Sequence, residues 1–127
     1  MNDLCPEPHG VMFHHFHDAK EHYASQGSIT EKDLQRIIDS VGREHILDPN
    51  GWFQKLQGGA LHEGEVCFTF DDALRCQFDL ALPVLEKNGL KAFWFIYSNV
   101  FEGALNTLEI YRVFRTKYFN DIEDFYA

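Results

Sequence analysis

Basic residues are scarce in this chain of 127 residues. Eleven Lys plus Arg stand against 20 acids, for a formal net charge of −9. A surface of that sign does not attract a nucleic-acid backbone or an anionic membrane, so neither is expected as a partner. Long apolar runs are missing too: the longest, Ala92 to Tyr97, is far too short to cross a bilayer. Met1-Asn2-Asp3-Leu4 lacks the basic start and apolar stretch of a signal peptide. Cysteine is limited to Cys5, Cys67 and Cys76, an odd number with no C-x-x-C pair. Reduced thiols in a cytoplasmic protein are therefore expected. No repeat, linker or low-complexity segment interrupts the chain, and no histidine follows His62.

What is present is apolar and aromatic. Hydrophobic residues make up 45% of the chain, aromatic residues 15%, and phenylalanine alone 12 residues. That suffices for the core of one domain and suggests a core larger than the chain closes by itself. The stretch around which the rest is organised is Glu65-Val66-Cys67-Phe68-Thr69-Phe70-Asp71-Asp72. Its apolar and β-branched residues fit a strand buried on both faces, and two adjacent carboxylates follow at its C-terminal end. In α/β proteins, functional groups are carried into a crevice at that end of the strands. The plainer alternative is that Asp72 caps the next helix and Asp71 is solvated.

Before this strand, Gly10 to His17 reads as a first strand, with His15 and His17 on one face and His14 on the other. The three imidazoles are metal ligands, a binding-site rim, or else one buried, hydrogen-bonded histidine and two solvated ones. Asp18 to Gln26 is polar and reads as a surface loop. Thr30 and Asp33 form a capping box for a helix whose apolar face is Leu34, Ile37, Ile38 and Val41, ended by Gly42. Asp48-Pro49-Asn50-Gly51 reads as a turn, followed by a short helical turn over Trp52 to Leu56. After the aspartates, a helix is expected from Leu74 to about Asn88, interrupted near Pro83 and stopped by Gly89. Lys91 to Tyr97 is then a second buried strand, parallel to the first in a βαβ unit. Asn106 or Thr107 caps a further helix to about Lys117, and Asp121 opens another amphipathic stretch.

Taken in order, Val66-Cys67-Phe68-Thr69-Phe70-Asp71-Asp72, Ala81-Leu82-Pro83-Val84-Leu85 and Asn88-Gly89-Leu90-Lys91-Ala92-Phe93-Trp94-Phe95-Ile96 resemble the polysaccharide deacetylase (NodB-like) family. That family carries a T-F-D-D-G motif, a helix ending in glycine and a strand of the A-T-F-F type; Phe13-His14 resembles the aromatic-His step of its first strand. The resemblance implies a metal-dependent enzyme that removes the acetyl group of an N-acetylated carbohydrate. It further implies a partial deformed (β/α) barrel with parallel strands, truncated near mid-barrel, with residues 1–127 its N-terminal portion. Asp71 would be the general base and Asp72 a ligand of a divalent metal, zinc above all.

Two departures from the family pattern stand out. Ala73 replaces the motif's glycine, a mild change unless that position needs positive φ. The paired histidines that complete the family's metal site have no counterpart after residue 97, and a full barrel takes roughly 200 residues or more. A truncated, inactive portion is therefore expected, binding metal weakly if at all, with His14, His15 or His17 as substitute ligands. Two other readings stay open. One is a non-catalytic sugar-binding or structural half-barrel that self-associates through uncovered barrel edges. The other is a phospho-acceptor or phosphatase domain with Asp71 as nucleophile.

Overall fold

The computed structural model describes residues 7–25 and 27–127. Cys5, the first part of the irregular N-terminal segment and Gln26 lie outside them. The fold is mixed α/β, built on an open sheet of three parallel strands in the order β1 (His9–Phe13), β2 (Val66–Phe70) and β3 (Phe93–Trp94). β1 pairs with β2 from His9 opposite Val66 to Phe13 opposite Phe70, and Thr69 and Phe70 pair with Phe93 and Trp94. The central strand is the expected one. Val66, Cys67, Phe68 and Phe70 are all buried, as a strand covered on both faces requires.

The outer strands are shorter than the sequence suggests. β1 stops at Phe13, so His14, His15 and His17 leave the sheet and the alternation of faces expected for them does not apply. Beyond Trp94 the pairing with β2 ends after Phe95, whose N–H donates to the Phe70 carbonyl.

Helix α1 (Glu31–Val41) is capped as its sequence predicts. Thr30 Oγ1 accepts from Asp33 N at 3.2 Å, and Asp33 Oδ2 accepts from Thr30 N at 3.0 Å. Leu34 and Ile38 are buried against the sheet core. Helix α2 (Pro49–Gly58) is longer than the turn expected there. Asp48 caps it through Asn50 N and Gly51 N, and Pro49 occupies the first turn, where its missing N–H costs nothing.

The helix after β2 is interrupted, in a specific way. Residues 77–81 form a π-turn (Gln77–Ala81) that runs into α3 (Leu82–Asn88), and Leu82 N donates to Gln77 O, five residues back. Pro83 has no N–H to offer Asp79 O and its ring crowds that carbonyl, so widening this turn relieves the clash without breaking the helix. Gly89 ends α3 at φ 64°. Asn106 caps α4 (Thr107–Tyr118), and Asp121 caps α5 (Ile122–Tyr126).

The core lies between the sheet, α1 and the π-turn with α3. Phe70 is its hub. Its ring stacks on Phe13 at 5.2 Å and on Trp94 at 4.4 Å, with Phe16 at 6.0 Å. Cys67 and Cys76 are free and buried, and burial pushes both thiols up. No helix among the described residues is long and apolar enough to cross a membrane.

Candidate functional site

At the carboxyl end of β2, Asp71 N still donates to Phe13 O at 3.1 Å, so Asp71 is held at the sheet margin. The chain then turns sharply through Asp72 at φ 75° and Ala73 at φ 50°. Both lie in the left-handed region, which aspartate tolerates and alanine does not favour. Position 73 therefore needs positive φ, so alanine there stores backbone strain and is not a mild occupant. The turn separates the two carboxylates.

Asp71 Oδ1 is buried with no hydrogen-bond partner among the described residues. A buried carboxylate oxygen without a donor is costly, and such groups concentrate at functional sites. Asp72 faces a different setting. Its Oδ2 lies 3.9 Å from His14 Nε2, and the Tyr97 hydroxyl is a neighbour of its carboxylate. The neighbouring Asp72 carboxylate raises the Tyr97 hydroxyl above its ordinary range, with burial and the Asp71 charge acting in the same direction. No backbone N–H donates to the Asp72 carboxylate among the described hydrogen bonds, so it does not serve as a helix cap.

Of the three histidines, only His14 reaches the acid pair. His15 Nε2 bonds Glu109 Oε1 at 2.7 Å, and His17 Nδ1 meets Ser28 Oγ at 2.8 Å. Glu109 in turn accepts from Arg112 Nε at 3.0 Å, and Arg112 Nη1 donates to Ser25 Oγ at 2.8 Å. This chain of contacts ties α4 to the loop after β1.

Gln77 fixes the relation between the two loops that carry the site. Fully buried, it donates through Nε2 to His14 O at 2.8 Å and to Asp71 O at 2.6 Å. Its Oε1 has no partner among the described residues. Beside it an apolar hollow of about 270 Å³ is lined by Phe70, Ala73, Phe78, Trp94, Phe95 and Ile96, among others.

Donor chemistry allows a test for a divalent metal. Two ligands of one tetrahedral zinc, each about 2.0–2.1 Å from it, stand roughly 3.4 Å apart. The 3.9 Å between His14 Nε2 and Asp72 Oδ2 is too long for a hydrogen bond and close to that separation. Asp72 and His14 thus fit the group as two of its ligands, whereas zinc sites take three or four from the protein. His15 and His17 are committed elsewhere.

Sequence reasoning missed Gln77, Tyr97 and Glu109. Gln77 had a readable signal, a lone amide on the buried side of a helix. Glu109 had none, because its partner His15 lies 94 residues away. No protein-family profile, curated protein or solved structure matches the chain.

Proposed function

We propose that this chain carries the carboxylate side of a metal-dependent carbohydrate N-deacetylase site, which hydrolyses the amide of an N-acetylated sugar. The observation that supports it most is the buried, partnerless Asp71 Oδ1 next to the Asp72–His14 pair. Asp71 is the proton acceptor for the attacking water, and its unused oxygen is free to take that proton. Asp72 and His14 supply two metal ligands, with Tyr97 beside the Asp72 carboxylate. When bound, a divalent ion such as zinc polarises the acetyl carbonyl and makes the water more acidic. In this reading the three parallel strands are the opening arc of a deformed (β/α) barrel. With two ligands the described residues bind metal weakly, and turnover needs donors from outside them.

A calorimetric zinc titration tests the first half. A weak binding event that disappears in both Asp72→Ala and His14→Ala, and in no variant remote from this pair, is expected; its persistence in either variant sinks the metal assignment. The second half is tested with the chain joined to a polypeptide that supplies two more histidines. Acetate release from N-acetylglucosamine oligomers is expected, and its abolition by Asp71→Asn. A complex that binds zinc through Asp72 yet releases no acetate removes the deacetylase reading.

A second reading is a non-catalytic sugar-binding or structural body that assembles with another chain. The outer edge of β3 has no partner strand among the described residues, and Phe95, Ile96 and Phe101 beyond it are exposed. Light scattering that gives a monomer at tens of micromolar counts against assembly with itself.

A further inference from the structure

The structure assigns a second cation-binding group, away from Asp71 and Asp72 in both chain and chemistry. We propose that Glu21, His22 and Asp79 form a divalent transition-metal site of their own. One ligand atom from each lies within 4.8 Å of the other two, and the hydrogen bond of 3.0 Å between His22 Nε2 and Asp79 Oδ2 joins two members of the same donor set, so an ion between them replaces it. An imidazole between two carboxylates is a donor set that suits zinc and its neighbours; an all-oxygen preference disfavours calcium and magnesium there. Three protein ligands leave a coordination position for water.

The donors come from two segments that are fixed independently. Asp18 Oδ1 accepts from Lys20 N at 3.0 Å and from Glu21 N and His22 N at 2.9 Å each, while Asp18 N donates to His22 O. Those bonds occupy Asp18 as a backbone anchor and set the turn that presents Glu21 and His22. Asp79 lies in the π-turn that Pro83 imposes, which opens the helix at this residue. His22 and Asp79 are both half-buried, so neither is free to swing away.

Arg75 is a built-in competitor. Its Nε donates to Asp79 Oδ2 at 2.9 Å and Oδ1 at 3.2 Å, from a side chain that is 81% exposed. An exposed i,i+4 ion pair is worth little, so a metal ion displaces the guanidinium from Asp79 into solvent.

The test is a zinc titration of the untagged chain, in the wild type and five variants. Groups that merely orient a metal ligand are worth about 10–100-fold in affinity, so loss of a ligand should cost at least about tenfold. His22→Ala and Asp79→Asn are expected to lose one equivalent of zinc. Arg75→Ala is expected to bind that equivalent more tightly, and Asp72→Ala to keep it. Glu21 is exposed and makes no described side-chain contact within the fold, so Glu21→Gln keeps the test valid if His22→Ala does not fold. Zinc binding that is the same in His22→Ala, or in Glu21→Gln, as in the wild type overturns the proposal. So does Arg75→Ala leaving affinity unchanged. Failure of the Asp72 site leaves these outcomes untouched, which separates the two assignments.

Discussion

The body of the protein, from β1 through Trp94, and the tail that follows it are both rich in aromatic and aliphatic residues, yet they use them differently. Phe13, Phe16, Phe68 and Phe70 are buried in the body, whereas Phe101, Leu105 and Leu108 in the tail are 79%, 77% and 74% exposed. No residue of α4 or α5 is buried. The tail's aromatic contacts are largely internal: Phe119 and Phe125 meet edge to face at 5.1 Å, and Phe114 lies 5.7 Å from Phe119. What ties α4 back to the body is polar, the His15–Glu109–Arg112–Ser25 chain. Apolar burial is cooperative and spread over many contacts, while a polar chain depends on each member. The contrast teaches that composition alone does not locate a core. A parallel strand with cover on both faces does.

The largest effect that tests this contrast is a truncation at the hub of the body. Phe70→Ala should destabilise the chain by about 3–5 kcal/mol, since it removes contacts to Phe13, Phe16 and Trp94 and leaves a cavity. Leu108→Ala in the tail should change stability by less than about 0.5 kcal/mol. Urea unfolding followed by circular dichroism measures both. Comparable losses at the two sites would erase the distinction.

A smaller and more local effect is expected at the polar tie. Glu109→Gln weakens the contacts to both His15 and Arg112, each half-buried, for about 1 kcal/mol of attachment. Hydrogen exchange should speed up across Thr107 to Tyr118 while the amides of Val66 to Phe70 keep their protection. Faster exchange in β2 as well would mean that α4 supports the body instead of resting on it.

Much of the body was legible because its signals are local. The Thr30–Asp33 capping box and the Val66–Phe70 strand each rest on residues within one element. Where one sequence carries two local meanings, the reading slipped. Asp48-Pro49-Asn50-Gly51 has turn chemistry and helix-start chemistry at once, and the helix forms. Pro83 announced an interruption, though not that a π-turn would absorb it. At the candidate site, the place of Asp71 and Asp72 at the carboxyl end of a buried strand was legible from the strand pattern. Which histidine would face Asp72 was not, because β1 ends at Phe13 and the backbone beyond it follows no period. The ties to Glu109 and Asp79 are tertiary and leave no trace in any short window.

Ala73 offers a way to sharpen the picture of the body as well packed but locally strained. A non-glycine residue in the left-handed region costs about 1–2 kcal/mol, and glycine returns part of that gain through its freer unfolded chain. With φ at 50°, Ala73→Gly should stabilise the protein by about 0.5–1 kcal/mol. Thermal unfolding checks the sign. A loss of stability would mean that the Ala73 methyl packs well enough against the neighbouring hollow to outweigh its backbone strain.

The smallest expected effect is a pH dependence confined to the body. Asp18 is held down to about 2 from 3.8, chiefly by the His22, Lys20 and Glu21 backbone N–H groups that it accepts from. Asp33 is lowered mainly by the Thr30 hydroxyl and backbone N–H, and Glu65 by the Lys55 ammonium and the His62 N–H. Each folded value lies below its unfolded one, so the stabilisation is complete above about 4.5 and is lost as pH falls through the folded values. All three groups reach the protein surface, Glu65 with a side chain only 12% exposed, and none is fully buried, so screening keeps the change modest. Acid titration between pH 5 and about 2 should lower the unfolding midpoint, and Asp18→Asn should flatten the lower end of that curve. Because Asp18 anchors the turn that presents His22, the same variant should also weaken zinc at Glu21, His22 and Asp79 while sparing the Phe70 core. An unchanged acid curve in Asp18→Asn would show that the three N–H bonds persist without the charge, and would leave Asp33 and Glu65 to carry the pH dependence of the body.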